Sequence, residues 1–229
     1  MSGTLYGIGV GPGDPELLTM KAWRLIAGAS TIAYLCANGG ESTALEITKP
    51  FLPDDYTPIA IDMPMRVERE AAQVAYNKGS EQISEVLNQG GDVIFLCEGD
   101  PFFYGSFMYV FERLIENHKV IVVPGITSIS AASAELRQPL VERDETLKVL
   151  PATMSAENLK SELATASAAA IIKVGRHINK VKTVLSELDL LDKATAIEYA
   201  TKPSQVIRPL NEIESDTLPY FTTIIVRRK

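Results

Sequence analysis

Along the first part of the chain, short unbroken apolar runs alternate with stretches in which apolar residues recur every three or four positions. The runs at 4–10, 31–36, 58–61, 92–97 and 119–123 read as β-strands, each followed by a helical or loop segment. This is the rhythm of a parallel α/β sheet. Asp92-Val93-Ile94-Phe95-Leu96-Cys97 and His118-Lys119-Val120-Ile121-Val122-Val123 lack the in–out alternation of a half-exposed strand. Strands covered by helices on both faces carry such runs, so both are expected at the sheet centre. The first helix is predicted from Asp14 as cap and Pro15 as first helical residue to about Ala27, with Leu17, Leu18, Ala22, Leu25 and Ile26 on its apolar stripe. An amphipathic pattern over 67–87 predicts one long helix, or two interrupted at Gly79, ended by Gln89-Gly90-Gly91. Further helices are predicted over 104–115 and 128–136.

After Leu136 the texture changes: residues 137–145 are polar, broken by Pro139 and without periodicity, and are read as a linker. Domains are therefore expected at 1–137 and 146–229. In the second, 146–150, 168–174 and 194–198 read as strands between helices at 156–164 and 178–188. The β-rich segments 205–210 and 220–227 have no long helix between them and read as a closing hairpin, antiparallel within a mixed sheet. The expected architecture is two α/β domains, the first with a mainly parallel five-stranded sheet, the second with a mixed one.

Composition narrows the class. Of 229 residues, 46% are hydrophobic and 22% charged, the balance of a soluble globular protein, and no segment approaches the ~18 apolar residues of a membrane span. The opening Met1-Ser2-Gly3-Thr4-Leu5-Tyr6-Gly7 has no basic leader, so the cytoplasm is the expected compartment. Two cysteines, Cys36 and Cys97, and two histidines, His118 and His177, support neither a disulfide framework nor a zinc site, and no metal is expected. The net charge of −7 opposes a nucleic-acid partner. An anionic ligand would need a local basic pocket.

In open α/β sheets ligands sit at the carboxyl ends of strands, which makes the following loops the places to look. Gly7-Ile8-Gly9-Val10-Gly11-Pro12-Gly13-Asp14 resembles a dinucleotide loop but fails its spacing. Pro12 also removes an N–H, Asp14 places negative charge where a pyrophosphate would bind, and no Gly-Lys-Ser/Thr follows. Glu98-Gly99-Asp100-Pro101-Phe102-Phe103-Tyr104-Gly105-Ser106 offers acceptors and ring faces, suited to a ligand with a cation, ribose hydroxyls and a flat base. The plain alternative is a capped turn whose rings fill core. Pro124-Gly125-Ile126-Thr127-Ser128 adds close backbone approach and two hydroxyls, and by itself is a helix start.

Together these motifs resemble the S-adenosylmethionine-dependent tetrapyrrole methylases, whose GxGPGD, GDPxxYG and PGI(S/T)S segments occur here in order. Lys173-Val174-Gly175-Arg176 and Glu198-Tyr199-Ala200-Thr201-Lys202-Pro203-Ser204-Gln205 resemble the family's second-domain motifs. Within the family, 97–109, 150–153 and 173–177 look most like the members that methylate precorrin-2 at C20 in cobalamin biosynthesis. The resemblance implies a cleft between the domains that binds S-adenosylmethionine through Pro12, Glu98, Gly99, Asp100, Phe103, Thr127, Ser128, Val174 and Ala200. It also implies a homodimer. Val174 stands where several relatives carry Met, and Tyr34-Leu35-Cys36-Ala37-Asn38 lacks the carboxylate that relatives acting on uroporphyrinogen carry in that turn.

Methyl transfer needs no side-chain nucleophile, and no catalytic base is assigned; Tyr104 is the candidate for orienting substrate. A precorrin bears eight carboxylates, for which Arg66, Arg69, Arg143, Arg176 and Lys202 are the candidate partners. Competing readings are a non-catalytic nucleotide-binding domain, or a methylase acting on another precorrin position, a modified protein histidine or an RNA ribose. Neither macromolecular acceptor would use an anion-binding trough, no membrane partner is expected, and RNA sits poorly with the net charge.

Overall fold

A computed structural model describes residues 2–37, 40–64 and 69–228. The chain divides into two compact units, Met1–Thr127 and Ser128–Lys229. The first is built on five parallel strands, β1 (Thr4–Gly9), β2 (Thr31–Ala37), β3 (Thr57–Met63), β4 (Val93–Cys97) and β5 (Lys119–Val123), in the order β3-β2-β4-β1-β5. Its helices are α1 (Met20–Ala27), α2 (Thr43–Thr48), α3 (Arg69–Asn88) and α4 (Phe107–Leu114).

The unbroken run of β4 is explained by two cores. Val93, Phe95 and Cys97 point to one cluster, with Tyr76, Ile83 and Leu87 of α3 and Phe107, Val110 and Leu114 of α4. Ile94 and Leu96 point to the other, with Ala22 and Ile26 of α1 and Ala44 and Ile47 of α2. The expectation of two central strands holds for β4 and is corrected for β5, which lies at the sheet edge. Its run reports partial helical cover, Val120 and Val122 packing against the α3–α4 core; edge position leaves no mark on that pattern.

Local signals moved several boundaries. The first predicted helix splits: Asp14 caps a short 3-10 turn at Pro15–Leu17, and Thr19 then caps α1 by accepting from the Ala22 N–H at 3.2 Å. α2 was not expected from the sequence; Ser42 caps it, its Oγ accepting from the Leu45 N–H. α3 runs straight through Gly79, because there the helix presses on β3: a Cβ would come within 2.3 Å of Ile61 Cδ1. α4 begins three residues later than expected, since Tyr104 is left-handed at φ 57° and cannot open a helix.

The second unit holds α5 (Ser128–Leu136), β6 (Leu147–Pro151), α6 (Ala156–Ala164), β7 (Ala168–Ile172), α7 (Ile178–Glu187), β8 (Ala194–Glu198), β9 (Val206–Pro209) and β10 (Thr222–Arg227). Its sheet, ordered β6-β7-β10-β8-β9, is mixed: β6 and β7 are parallel, and β10 is antiparallel to both β7 and β8. The closing hairpin is corrected, for β9 pairs with β8 and β10 inserts between β7 and β8. Burial explains the exchange: every residue of β10 is buried, as a central strand requires, whereas β9 is largely exposed. One sheet face packs on α6 and α7 through Leu159, Leu163, Val181 and Leu185. The other packs on α5, where Ile129 and Ala132 meet Ala170, Ile197 and Ile225.

Helix α5, placed with the first domain in the sequence reading, thus goes with the second unit. The 137–145 segment is tied there too. Buried Arg227 of β10 donates to the Pro139 carbonyl and to the carboxylates of Glu142 and Glu145.

Candidate cofactor and acceptor site

Because β1 lies between β4 and β5, the loops leaving the carboxyl ends of these strands meet at one edge of the first sheet. Glycine makes the meeting possible. Gly11 and Gly99 exchange backbone hydrogen bonds, Gly99 N–H to Gly11 O at 2.8 Å and Gly11 N–H to Gly99 O at 3.3 Å. A Cβ on Gly125 would stand 2.1 Å from the Gly99 carbonyl oxygen, and one on Gly9 2.6 Å from the Gly125 nitrogen. Pro12 sits partly exposed beside this junction.

Asp100 is the staple. Its Oδ1 accepts from the N–H groups of Phe102 at 2.9 Å and Phe103 at 3.1 Å, and its Oδ2 accepts from the Gly125 N–H at 3.0 Å. One carboxylate therefore shapes the β4 loop and ties it to the β5 loop. Gly105 closes the turn, where a Cβ would lie 2.5 Å from the Asp100 carbonyl oxygen. The segment between carries Phe103 and Tyr104 outward, 40% and 44% exposed, their rings edge to face at 5.4 Å between centroids. Tyr104 is also backbone-strained, a state that costs on the order of 1–3 kcal/mol and clusters at functional sites. Asp14, by contrast, is a capping residue: its Oδ1 accepts from the Glu16 N–H at 2.9 Å.

Both cysteines are buried, which disfavours their thiolates. Burial, then the Glu98 charge, pushes the Cys97 thiol up to about 12, and burial followed by Asp62 raises that of Cys36. Among the described residues no three His, Cys, Asp or Glu side chains gather as a metal site would require.

In the second unit β7 and β8 run the same way on either side of β10, so their carboxyl ends share an edge. There Lys173, Tyr199 and Thr201 are left-handed, at φ 56°, 51° and 67°. These turns carry Val174, fully buried in the core under α6 and α7, and Ala200, 6% exposed in the core under α5. At the same edge Thr223 of β10 donates its hydroxyl to Ser128 Oγ at 3.3 Å, at the start of α5. Thr127 precedes it as the last residue of the first unit, half-buried.

The cationic candidates separate. Arg176 is exposed beside Val174, and Lys202 Nζ stands 5.7 Å from the centroid of the Phe221 ring. His177 next to Arg176 is held below the ordinary imidazole value by burial and by the charges of Lys180 and Arg176. Arg143 is not brought to them: it lies in the segment entering β6, at the opposite edge of that sheet from the carboxyl ends of β7 and β8. Arg69 is the first residue of α3, and Arg66 lies outside the described residues.

Sequence reading missed one group. Gln205 Oε1 accepts from the Thr201 N–H at 2.6 Å, and its Nε2 donates to Glu135 Oε2 at 2.7 Å. The signal available was the Gln205 that ends the 198–205 motif.

The family model for tetrapyrrole (corrin/porphyrin) methylases matches residues 4–214. The chain belongs to the tetrapyrrole methylases. Among curated tetrapyrrole-related relatives it is 36% identical to a precorrin-2 C(20)-methyltransferase of Sinorhizobium sp, over 98% of this chain and 95% of that protein. It is 39% identical to the cobalamin biosynthesis protein CobIJ of Mycobacterium bovis, over 96% of this chain but 45% of that protein. The chain thus spans about half the length of that relative. Among solved structures, a cobalt precorrin-4 methyltransferase superposes with a TM-score of 0.74 at 21% identity, over 98% of this chain and 94% of that one, a likeness of fold.

Proposed function

We propose that this tetrapyrrole methylase transfers a methyl group from S-adenosylmethionine to C20 of precorrin-2, or of its cobalt-containing counterpart, in cobalamin biosynthesis. The observation that carries the reading is the likeness to a precorrin-2 C(20)-methyltransferase over nearly the full length of both chains. Such a member would act in the cytoplasm as a homodimer.

The residues present fit the cofactor. The glycine junction lets the loops after β1, β4 and β5 cross backbone to backbone, which sets the side chains of the β4 loop around the crossing. Half-buried Glu98 offers a carboxylate acceptor and Phe103 an exposed ring. Pro12, Glu98, Gly99 and Phe103 would hold S-adenosylmethionine from the first unit, with Asp100 fixing their loop. Thr127 and Ser128 would supply hydroxyls, and Val174 and Ala200 would supply apolar contacts. Bound S-adenosylmethionine brings an electrophilic methyl group on a sulfonium.

The chain's own task is positioning, which can lower a barrier by ~7–11 kcal/mol when donor and acceptor are held in line. The acceptor carbon of a reduced tetrapyrrole is already electron-rich, and once the methyl has passed from sulfur to carbon one proton leaves that carbon. Tyr104 on its rigid turn would set the ring plane, and Arg176 and Lys202 would bind carboxylates at its rim, the former in bidentate fashion. Tetrapyrroles offer several methylation positions, so regiochemistry follows from which carbon the walls present.

The test incubates the protein with S-adenosylmethionine carrying a carbon-13 methyl and with metal-free or cobalt-loaded precorrin-2. One added methyl by mass, at C20 by carbon-13 NMR, is expected. A label at another carbon removes the C20 assignment and leaves a methylase; no transfer to either substrate removes both.

A further inference from the structure

The turn that carries Ala200 is left-handed on both sides of it, at Tyr199 and Thr201. Such a conformation persists only where its surroundings impose it. On one side the Tyr199 N–H donates to the Phe221 carbonyl at 2.8 Å. On the other the restraint is a side chain, Gln205, whose Oε1 accepts from the Thr201 N–H while its Nε2 donates to Glu135 of α5. A backbone N–H can only donate and a carboxylate can only accept, so the amide is fixed in one orientation. Of the charges along the same segment, Glu198 pairs with Arg208, and Lys202 stands over the Phe221 ring.

We propose that Gln205, oriented by Glu135, is a positioning residue for cofactor binding: its amide holds the Tyr199–Thr201 turn in the shape that presents Ala200 to S-adenosylmethionine. The inference rests on the assignment of Ala200 to the cofactor pocket. It adds that the polarity of the Glu135–Gln205 pair, and not merely its bulk, sets the affinity.

Polarity is what the experiment varies. Gln205→Glu keeps an acceptor for Thr201 but sets a second carboxylate against Glu135. S-adenosylmethionine affinity measured by calorimetry should fall about tenfold at pH 8, the scale of one charge-assisted hydrogen bond. Combining Gln205→Glu with Glu135→Gln reverses the pair, the amide on α5 donating to the carboxylate on the turn, and should restore binding at pH 8. Amide exchange of Thr201, followed by NMR, should speed up in the single variant and return in the double. Wild type that fails to bind S-adenosylmethionine overturns the cofactor reading itself. Wild type that binds, with a Gln205→Glu variant indistinguishable in affinity and Thr201 exchange, overturns only the positioning role. Weakened binding that the double variant leaves unrepaired also overturns it. Should the single variant not fold, the double variant decides alone, wild-type affinity supporting the role and tenfold weaker binding refuting it.

Discussion

Asp100 binds backbone, and its ligands define its work: three N–H groups drawn from two loops converge on its carboxylate. Asp100→Asn keeps one acceptor oxygen and turns an NH₂ toward a donor. Unfolding free energy should drop by about 1–3 kcal/mol, with weaker S-adenosylmethionine binding. Urea titration and calorimetry check both, and a variant unchanged in each would show the staple to be dispensable. Tyr104 makes the opposite trade. Glycine relieves its positive φ, so Tyr104→Gly should stabilise the protein by about 0.5–1 kcal/mol while lowering turnover, since the exposed ring is lost. A variant no more stable than wild type, or as active, counts against strain held for function. Arg176 lies exposed, and a rim cation that binds ground and transition states alike acts on the Michaelis constant. Arg176→Ala should raise KM for the tetrapyrrole with kcat little changed; a loss confined to kcat would place Arg176 in the chemical step.

At the scale of elements, the sequence marks what local chemistry controls. The cap at Asp14, the stripe of α1 and the Val93–Cys97 run are each visible in a few neighbouring residues. Gly79 shows the limit. Read alone it is an interruption, but α3 passes through it, and its small size serves the contact with Ile61. Gly79→Ala should therefore destabilise by about 1–3 kcal/mol through overpacking, despite the ~1 kcal/mol gain in helix propensity. Adding Ile61→Val, which removes the Cδ1 atom, should recover part of the loss. Thermal or urea unfolding of both variants reads the outcome, and a stabilised single variant would mean that β3 gives way instead. The partnering of β9 and β10 lay beyond local reading for a related reason. Both segments look like strands, yet only contact with β7 and β8 settles which is central.

For the whole molecule, the prediction is assembly. A homodimer should scatter light at about twice the 25.0 kDa of one chain across micromolar concentrations, and a stable mass of one chain would remove that proposal. The sequence by itself determined the α/β class, the two sheets and the family, because helical periodicity, buried β-rich runs and three motif loops are all written in short contiguous segments. It also named Arg143 and Arg176 as equals, and ended the first domain after α5. Only the tertiary structure put Arg143 at one edge of the second sheet and Arg176 at the other, gave α5 to the second core, and joined Glu135 to Gln205 across 70 residues. Sheet order decides which loops share an edge, and that order is set by burial of whole strands against helices far away in sequence. A residue's own neighbours carry no record of it.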